Sequence, residues 1–218
     1  KKTTELYNKY KRRILPKTFT VVDDPTAKTY EGRRLTGSYE FDSEGVPAQA
    51  VKLVNNGILE NFLMSRVPIK QFHGSNGHGR GNYQQADGSI GNLFIKASGG
   101  ISGRDIKARL IAMCKEQDMK YGVIVRTLSK TYPTLAYKVY ADDGREELVR
   151  GMQISGVTIK ILKDILFTTD EYYVYNFVNG GEAASIIAPS ILIEEVELKK
   201  LTSEKLKPPI LLHPYFAK

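Results

Sequence analysis

The chain has 218 residues, 41% of them hydrophobic and 26% charged, with a formal net charge of +8; these are proportions of an ordinary globular protein. Its length is enough to bury a core unaided. The one cysteine, Cys114, excludes an internal disulfide and any metal site built of several thiolates. No run of about 18 apolar residues occurs, so a membrane-spanning helix is excluded and no membrane partner is expected. The chain opens on Lys1 rather than Met, so a processed chain or a piece of a longer one is expected. The compartment is left open, with the cytoplasm favoured, because a removed signal leaves no trace.

Residues 1–17 carry seven Lys/Arg against one acid, and the remaining residues carry only +2. The basic character therefore belongs to a leader segment and reads as a solvated helix face rather than a nucleic-acid surface. Within it, residues 4–14 read as a helix, with Leu6, Tyr7, Tyr10 and Ile14 on one face, ended by Pro16. Thr18–Val22 alternates as a strand, and Asp23-Asp24-Pro25-Thr26 forms a turn. Ala48–Val54 and Ile58–Met64 read as strands joined by Asn55-Asn56-Gly57, a tight hairpin. Pro68–Gly91 reads as a long glycine-rich loop, and Leu93–Ala97 returns to strand. Ser102–Lys115 is a helix with Ser102 as its N-cap and Asp105 in its first turn. Cys114 lies on its apolar stripe as a core residue. Gly122–Leu128 and Leu135–Ala141 are strands, and Asp142-Asp143-Gly144 turns into a strand over Glu147–Ile154. Val157–Leu166 reads as a short amphipathic helix. Tyr172–Val178 and Ile191–Leu198 are strands, with an Asn179-Gly180-Gly181 turn after the first. The tail after Leu201 contains Pro208, Pro209 and Pro214 and is expected to be extended. The expected class is α+β: mostly antiparallel sheet, about nine hairpin-linked strands, with two helices packed on it.

The densest concentration of unusual residues is Ser75-Asn76-Gly77-His78-Gly79-Arg80, with Phe41-Asp42-Ser43-Glu44-Gly45-Val46-Pro47 upstream. Glycine disfavours helix and strand, so this reads as an exposed loop. His73 and His78 share it, but a His-x4-His pair in a loop does not fix a tetrahedral zinc geometry. Ser75, His78 and Asp87 could compose a nucleophilic set, yet no Gly-x-Ser-x-Gly elbow is present, and a polar loop is the favoured reading. Gly77, Gly79 and Gly81 could cradle a phosphate only weakly, without a helix start behind them. Tyr173, Tyr175 and Phe177 alternate onto one strand face, where they could stack bases; a core face is favoured.

An ordered set of stretches resembles the C-terminal domain of the TldD/PmbA family, once called modulators of DNA gyrase and now seen as zinc-dependent peptidases. The set is Val21-Val22-Asp23-Asp24-Pro25-Thr26, Phe41 through Ala48, Val54-Asn55-Asn56-Gly57-Ile58-Leu59, Ser65-Arg66, Ser75 through Arg80, Val149-Arg150-Gly151 with Ile154-Ser155-Gly156, and Ala188-Pro189-Ser190-Ile191-Leu192-Ile193. The resemblance implies residues 1–17 as the end of an upstream domain, 18–200 as the family domain and 201–218 as an extended tail. It implies zinc in the full-length protein, held by an upstream His-Glu-x-x-x-His helix that this sequence lacks, with a cysteine ligand near Tyr175-Asn176 where this sequence has none. No metal and no catalytic residue are therefore expected in this chain, which alone would be inactive. What the resemblance leaves to it is a cleft wall for a peptide or protein substrate, contacted by Ser75, His78, Arg80 and Arg66, within a homo- or heterodimer of the family. A non-catalytic scaffold subunit of such a peptidase is the alternative, and nucleic-acid binding through the leader is the least favoured reading.

Overall fold

The computed structural model describes residues 5–69, 72–82, 85–129, 132–155 and 161–201; the expected tail lies outside them. By contacts the chain divides into two units, Lys1–Leu110 with Thr158–Glu195 and Ile111–Val157 with Val196–Lys218.

The first unit is built on a six-stranded sheet. Its strands are β1 (Phe19–Asp23), β4 (Val51–Asn55), β5 (Ile58–Leu59), β8 (Asn92–Ala97), β13 (Ile165–Asn179) and β14 (Glu182–Ile193), in the order β13-β14-β8-β1-β4-β5. The pairs are antiparallel except β14 with β8, where Ser185 lies opposite Asn92. Alternation along β1 sends Phe19, Val21 and Asp23 to the buried face. There Phe19 and Val21 pack with Ile14, Leu15, Val54, Leu59, Phe62 and Met64. On the other face Phe94 and Ile187 pack against Leu35, with Ala27, Tyr30, Tyr172 and Val174 around them. Two short ribbons complete the unit: β2 (Thr29–Tyr30) with β3 (Arg33–Arg34), and β6 (Gly79–Asn82) with β7 (Gln85–Gly88).

The second unit holds the end of α1 (Gly103–Glu116). It also holds a sheet of β9 (Tyr121–Ser129), β10 (Tyr132–Tyr140) and β11 (Glu146–Val149), and a pair of β12 (Met152–Ser155) with β15 (Glu197–Lys200). Ala136, Val139, Ala141, Met152 and Cys114 are buried. Burial pushes the Cys114 thiol up from its ordinary value, as expected of a core residue.

The α+β class and the antiparallel character are as the sequence leads one to expect; several elements differ. Among the described residues α1 is the only α-helix. It begins on a Ser102 N-cap, with Asp105 N donating to Ser102 Oγ and Ser102 Oγ to Asp105 Oδ2. The leader is a 3₁₀ helix over Glu5–Lys9 only, because Lys11 takes a positive φ of 58°. The following residues run along β5, Lys11 N donating to Leu59 O and Leu59 N to Arg12 O. Pairing overrides the helical spacing there, while Leu6, Tyr7 and Tyr10 pack onto the core. The second expected helix falls partly outside the described residues. What is described is a 3₁₀ turn over Ile161–Lys163, since Ile165 already pairs with Ile193. Fifteen strands stand among the described residues rather than nine. The loop at 68–91 contains the β6–β7 hairpin, and Gly151, at a φ of 70°, splits the expected 147–154 strand. The Asn55-Asn56-Gly57 hairpin forms as expected, with Asn56 and Gly57 both at positive φ.

Candidate functional site

The two unusual stretches are bonded to each other, through residues as far apart in sequence as Asp42 and Gly79, 37 positions. Asp42 is 6% exposed. Its Oδ1 accepts from Glu44 N at 2.9 Å and Val46 N at 2.8 Å, a side chain closing its own turn. Its Oδ2 accepts from Gly79 N at 2.9 Å. Ser43 N donates to Gly79 O and Tyr39 OH to Gly77 O. A carboxylate taking three main-chain N–H bonds is a strong fixed point, because charge-assisted bonds exceed neutral ones. Gly77 makes the approach possible: its φ is 73°, and a Cβ there would lie 2.2 Å from Pro47 O.

Directly behind, His78 is fully buried against Asp23, which is also fully buried. His78 Nδ1 faces Asn76 O at 2.9 Å, and Nε2 faces Asp23 Oδ1 at 3.1 Å. A carbonyl only accepts, so Nδ1 carries hydrogen. The Nε2–Oδ1 contact then shares a further proton, and the two residues form one hydrogen-bonded unit. Gly91 N also donates to Asp23. Asp23 thus joins β1, the Ser75–Arg80 loop and the start of β8.

Arg80 leaves β6 and donates through Nε and Nη2 to Glu182 Oε2, at 3.1 and 2.5 Å. Its guanidinium lies 4.3 Å from the centre of the Tyr39 ring. Tyr39 lines a groove of about 400 Å³ with Pro25, Thr26, Lys28, Ser38 and Glu40. The groove's segment is held down by Ser185 and Asn92, both fully buried. Thr36 N and Gly37 N donate to Ser185 Oγ, and Asn92 Nδ2 donates to Ala27 O. Burial raises the Tyr39 hydroxyl from 10.0 to about 12, with the Arg80 cation pulling the other way. The folded state therefore holds this proton more tightly than the unfolded one. The resulting stability is complete below pH 10 and is lost between pH 10 and 12. In an alkaline titration followed by tyrosinate absorbance, Tyr39→Phe removes a step near pH 12; an unchanged final step contradicts this placement.

The structure brings Ser75, His78 and Arg80 together, but not as open contacts. Ser75 Oγ donates to Met64 O and accepts from Gly77 N. His78 has no exposed surface, and Arg80 is paired. Arg66, by contrast, is exposed, its main-chain N donating to Glu44 Oε2 at 2.6 Å. The loop expected to be exposed is thus largely buried, because its polar groups find partners within the fold. The Ser75–His78–Asp87 set does not form: the partner of His78 is Asp23, and Asp87 is exposed, opposite Arg80 in the hairpin. Gly79 and Gly81 sit in β6, and the amides of both donate to groups of the Asp42–Ser43 turn rather than turning toward a phosphate. The Tyr173, Tyr175 and Phe177 face is no core face, since Tyr173 and Tyr175 are exposed.

Asn176, near the position where the resemblance places a metal-holding cysteine, donates through Nδ2 to Arg34 O and accepts at Oδ1 from Ser185 Oγ. Amide and hydroxyl groups already bonded to one another are not the Cys, His and carboxylate ligands that zinc takes. Among the described residues no group of three or more His, Cys, Asp or Glu side chains could hold an ion. The donors described here do not fit zinc. The residues that sequence reasoning passed over are Asp23, Asp42, Tyr39 and Ser185. For Asp23 a signal existed: alternation with Phe19 and Val21 sends a carboxylate inward, which demands a buried partner.

Residues 1–200 match the model of the PmbA/TldA metallopeptidase C-terminal domain. Over 77 residues, 35% of this chain and 17% of the relative, the sequence is 32% identical to a metalloprotease of Archaeoglobus fulgidus. Over 61 residues, 28% of this chain and 12% of the relative, it is 39% identical to a metalloprotease of Methanothermobacter thermautotrophicus. The fold is similar to that of TldE from Thermococcus kodakarensis, with a TM-score of 0.64 at 21% identity over 89% of this chain and 42% of that one. A candidate modulator of a DNA gyrase from Thermotoga maritima gives a TM-score of 0.63 at 20% identity, over 90% and 42%. The chain thus spans less than half the length of these structural relatives. With its family model matched over nearly its whole length, the chain belongs to the PmbA/TldA metallopeptidase C-terminal domain family.

Proposed function

We propose that this domain supplies the peptide-holding wall of a TldD/PmbA-type zinc-dependent peptidase and leaves the metal chemistry to residues outside those described. The observation that carries this reading is the groove beside the interlocked turn and loop. Its lining combines the Tyr39 ring, the Thr26 and Ser38 hydroxyls, and the exposed Lys28 and Glu40, whose charged ends stand 4.0 Å apart. An extended peptide offers what such a lining recognises: main-chain N–H donors for the Thr26 and Ser38 oxygens, whose own hydrogens go to Asp24 Oδ1 and Leu35 O, an apolar body for the ring, and terminal charges of either sign. Arg66, exposed but not part of that lining, offers a second cation for a carboxylate. Ser75, His78 and Arg80 act as positioning residues, holding the loop and the Tyr39 ring in place.

The test is fluorescence anisotropy with fluorescein-labelled casein peptides. Tyr39→Ala combined with Lys28→Ala raises Kd about tenfold, the effect of removing one strong contact. An unchanged Kd would remove the groove from the account. A second reading, a non-catalytic subunit of such a peptidase, is favoured by the hydrogen-bonded Asn176 amide. Tight stoichiometric zinc in the full-length protein would contradict that second reading.

A further inference from the structure

The groove beside Tyr39 is one-sided in its hydrogen bonding. Tyr39 N donates to Pro25 O at 3.0 Å and ties the two sides of the groove together, with Thr26 and Ser38 next to that bond in the chain. The donors around it turn inward. Thr26 N and Thr26 Oγ1 both donate to Asp24 Oδ1, at 3.0 and 2.6 Å. Ser38 Oγ donates to Leu35 O, and Tyr39 OH donates to Gly77 O. Pro25 has no N–H to give. A hydroxyl oxygen whose hydrogen is spent keeps two lone pairs, and among the described residues nothing donates to Thr26 Oγ1 or Ser38 Oγ. Glu40 adds a carboxylate, its side chain 80% exposed, with Lys28 Nζ 4.0 Å from Oε1. Asp24 sets a second carboxylate behind Thr26. The side chains of the lining therefore offer acceptors, with Lys28 their one cation.

Resting on the reading of this domain as a peptide-holding wall, we propose that the groove takes the free N-terminus of a peptide, its α-ammonium bound by Thr26 Oγ1, Ser38 Oγ and Glu40. An ammonium carries three N–H donors and no acceptor, which suits a lining of two lone-pair oxygens and a carboxylate. The bond to Glu40 is charge-assisted, the stronger kind. A C-terminal carboxylate brings acceptors only. It would meet the same lone pairs and two carboxylates, with Lys28 alone in its favour. Lys28 serves instead the carbonyl of the first residue, which a single carbon separates from the α-ammonium, so that one groove holds both. The ammonium of a lysine side chain stands at the end of a four-carbon stem, too far from its own carbonyl for the same pair of contacts. The first side chain packs on Pro25 and on the Tyr39 ring, which Arg80 and Gly77 O hold in place.

Fluorescence anisotropy on the complete chain tests this with a lysine-free casein peptide carrying fluorescein at its C-terminal end. The peptide is compared with a free N-terminus, with an acetylated one, and acetylated with a lysine added. Acetylation removes the charge and two of the three donors and raises Kd about tenfold. Glu40→Gln raises Kd for the free form about fivefold, the upper scale of an exposed ion pair. It leaves the acetylated form unchanged, the coupling that a direct contact requires. Glu40 is exposed, so this substitution spares the fold. The added lysine does not restore tight binding. Equal Kd for free and acetylated peptides would overturn the inference and leave a peptide groove with no preferred end. Full recovery by the added lysine would overturn it in favour of any primary ammonium. No binding of any form would overturn it together with the reading on which it rests.

Discussion

Replacing Asp23 with alanine lowers the unfolding free energy by about 3–5 kcal/mol, the cost of stripping one partner from a buried pair. Both Asp23 and His78 are fully buried, so no water replaces what is lost. His78 Nε2 and Gly91 N lose their acceptor together. The loss reaches the site, because His78 Nδ1 faces Asn76 O, and the Asn76 side chain donates to Phe62 O and accepts from Met64 N. Urea denaturation followed by circular dichroism measures the effect. A loss under about 1 kcal/mol, the scale of an exposed pair, would show that the two side chains do not depend on each other.

Gly77→Ala is the second large effect, at about 3 kcal/mol or more, because backbone strain and collision add. The left-handed backbone costs an alanine about 1–2 kcal/mol. The added Cβ would also stand 2.2 Å from Pro47 O, so the turn at 41–48 has to move. Gly45 supplies the control. Its φ is 74°, almost the same, but a Cβ there meets nothing within 4 Å. Gly45→Ala therefore shows the backbone cost alone, and the difference between the two variants measures the interlock of turn and loop. Equal losses in denaturation would mean that no such interlock exists.

Much of this fold could be read from spacing alone. Tight turns are local chemistry, which is why Asn55-Asn56-Gly57 and the Ser102–Asp105 cap are where residue type puts them. The misread elements depend on distant partners. The leader has helical spacing, yet β5 offers it a strand to pair with. The loop at 68–91 looks structureless because its glycines serve close approaches to residues far away in sequence, which no local window contains. The candidate site follows the same division. His78 and Arg80 stood out by residue type, but that Asp23 and Glu182 neutralise or hold them depends on β1 and β14 meeting the loop in space. The Tyr173–Phe177 face shows the opposite error: alternation correctly places the three side chains on one face, but says nothing about whether anything covers it.

The measurement that bears most directly on the central claim is equilibrium binding of fluorescein-labelled casein peptides to this chain in the presence of a chelator. A peptide-holding wall that contributes no metal ligands predicts saturable binding that the chelator leaves unchanged and that Tyr39→Ala with Lys28→Ala weakens. Binding that disappears with the chelator, or no saturable binding at all, would contradict it.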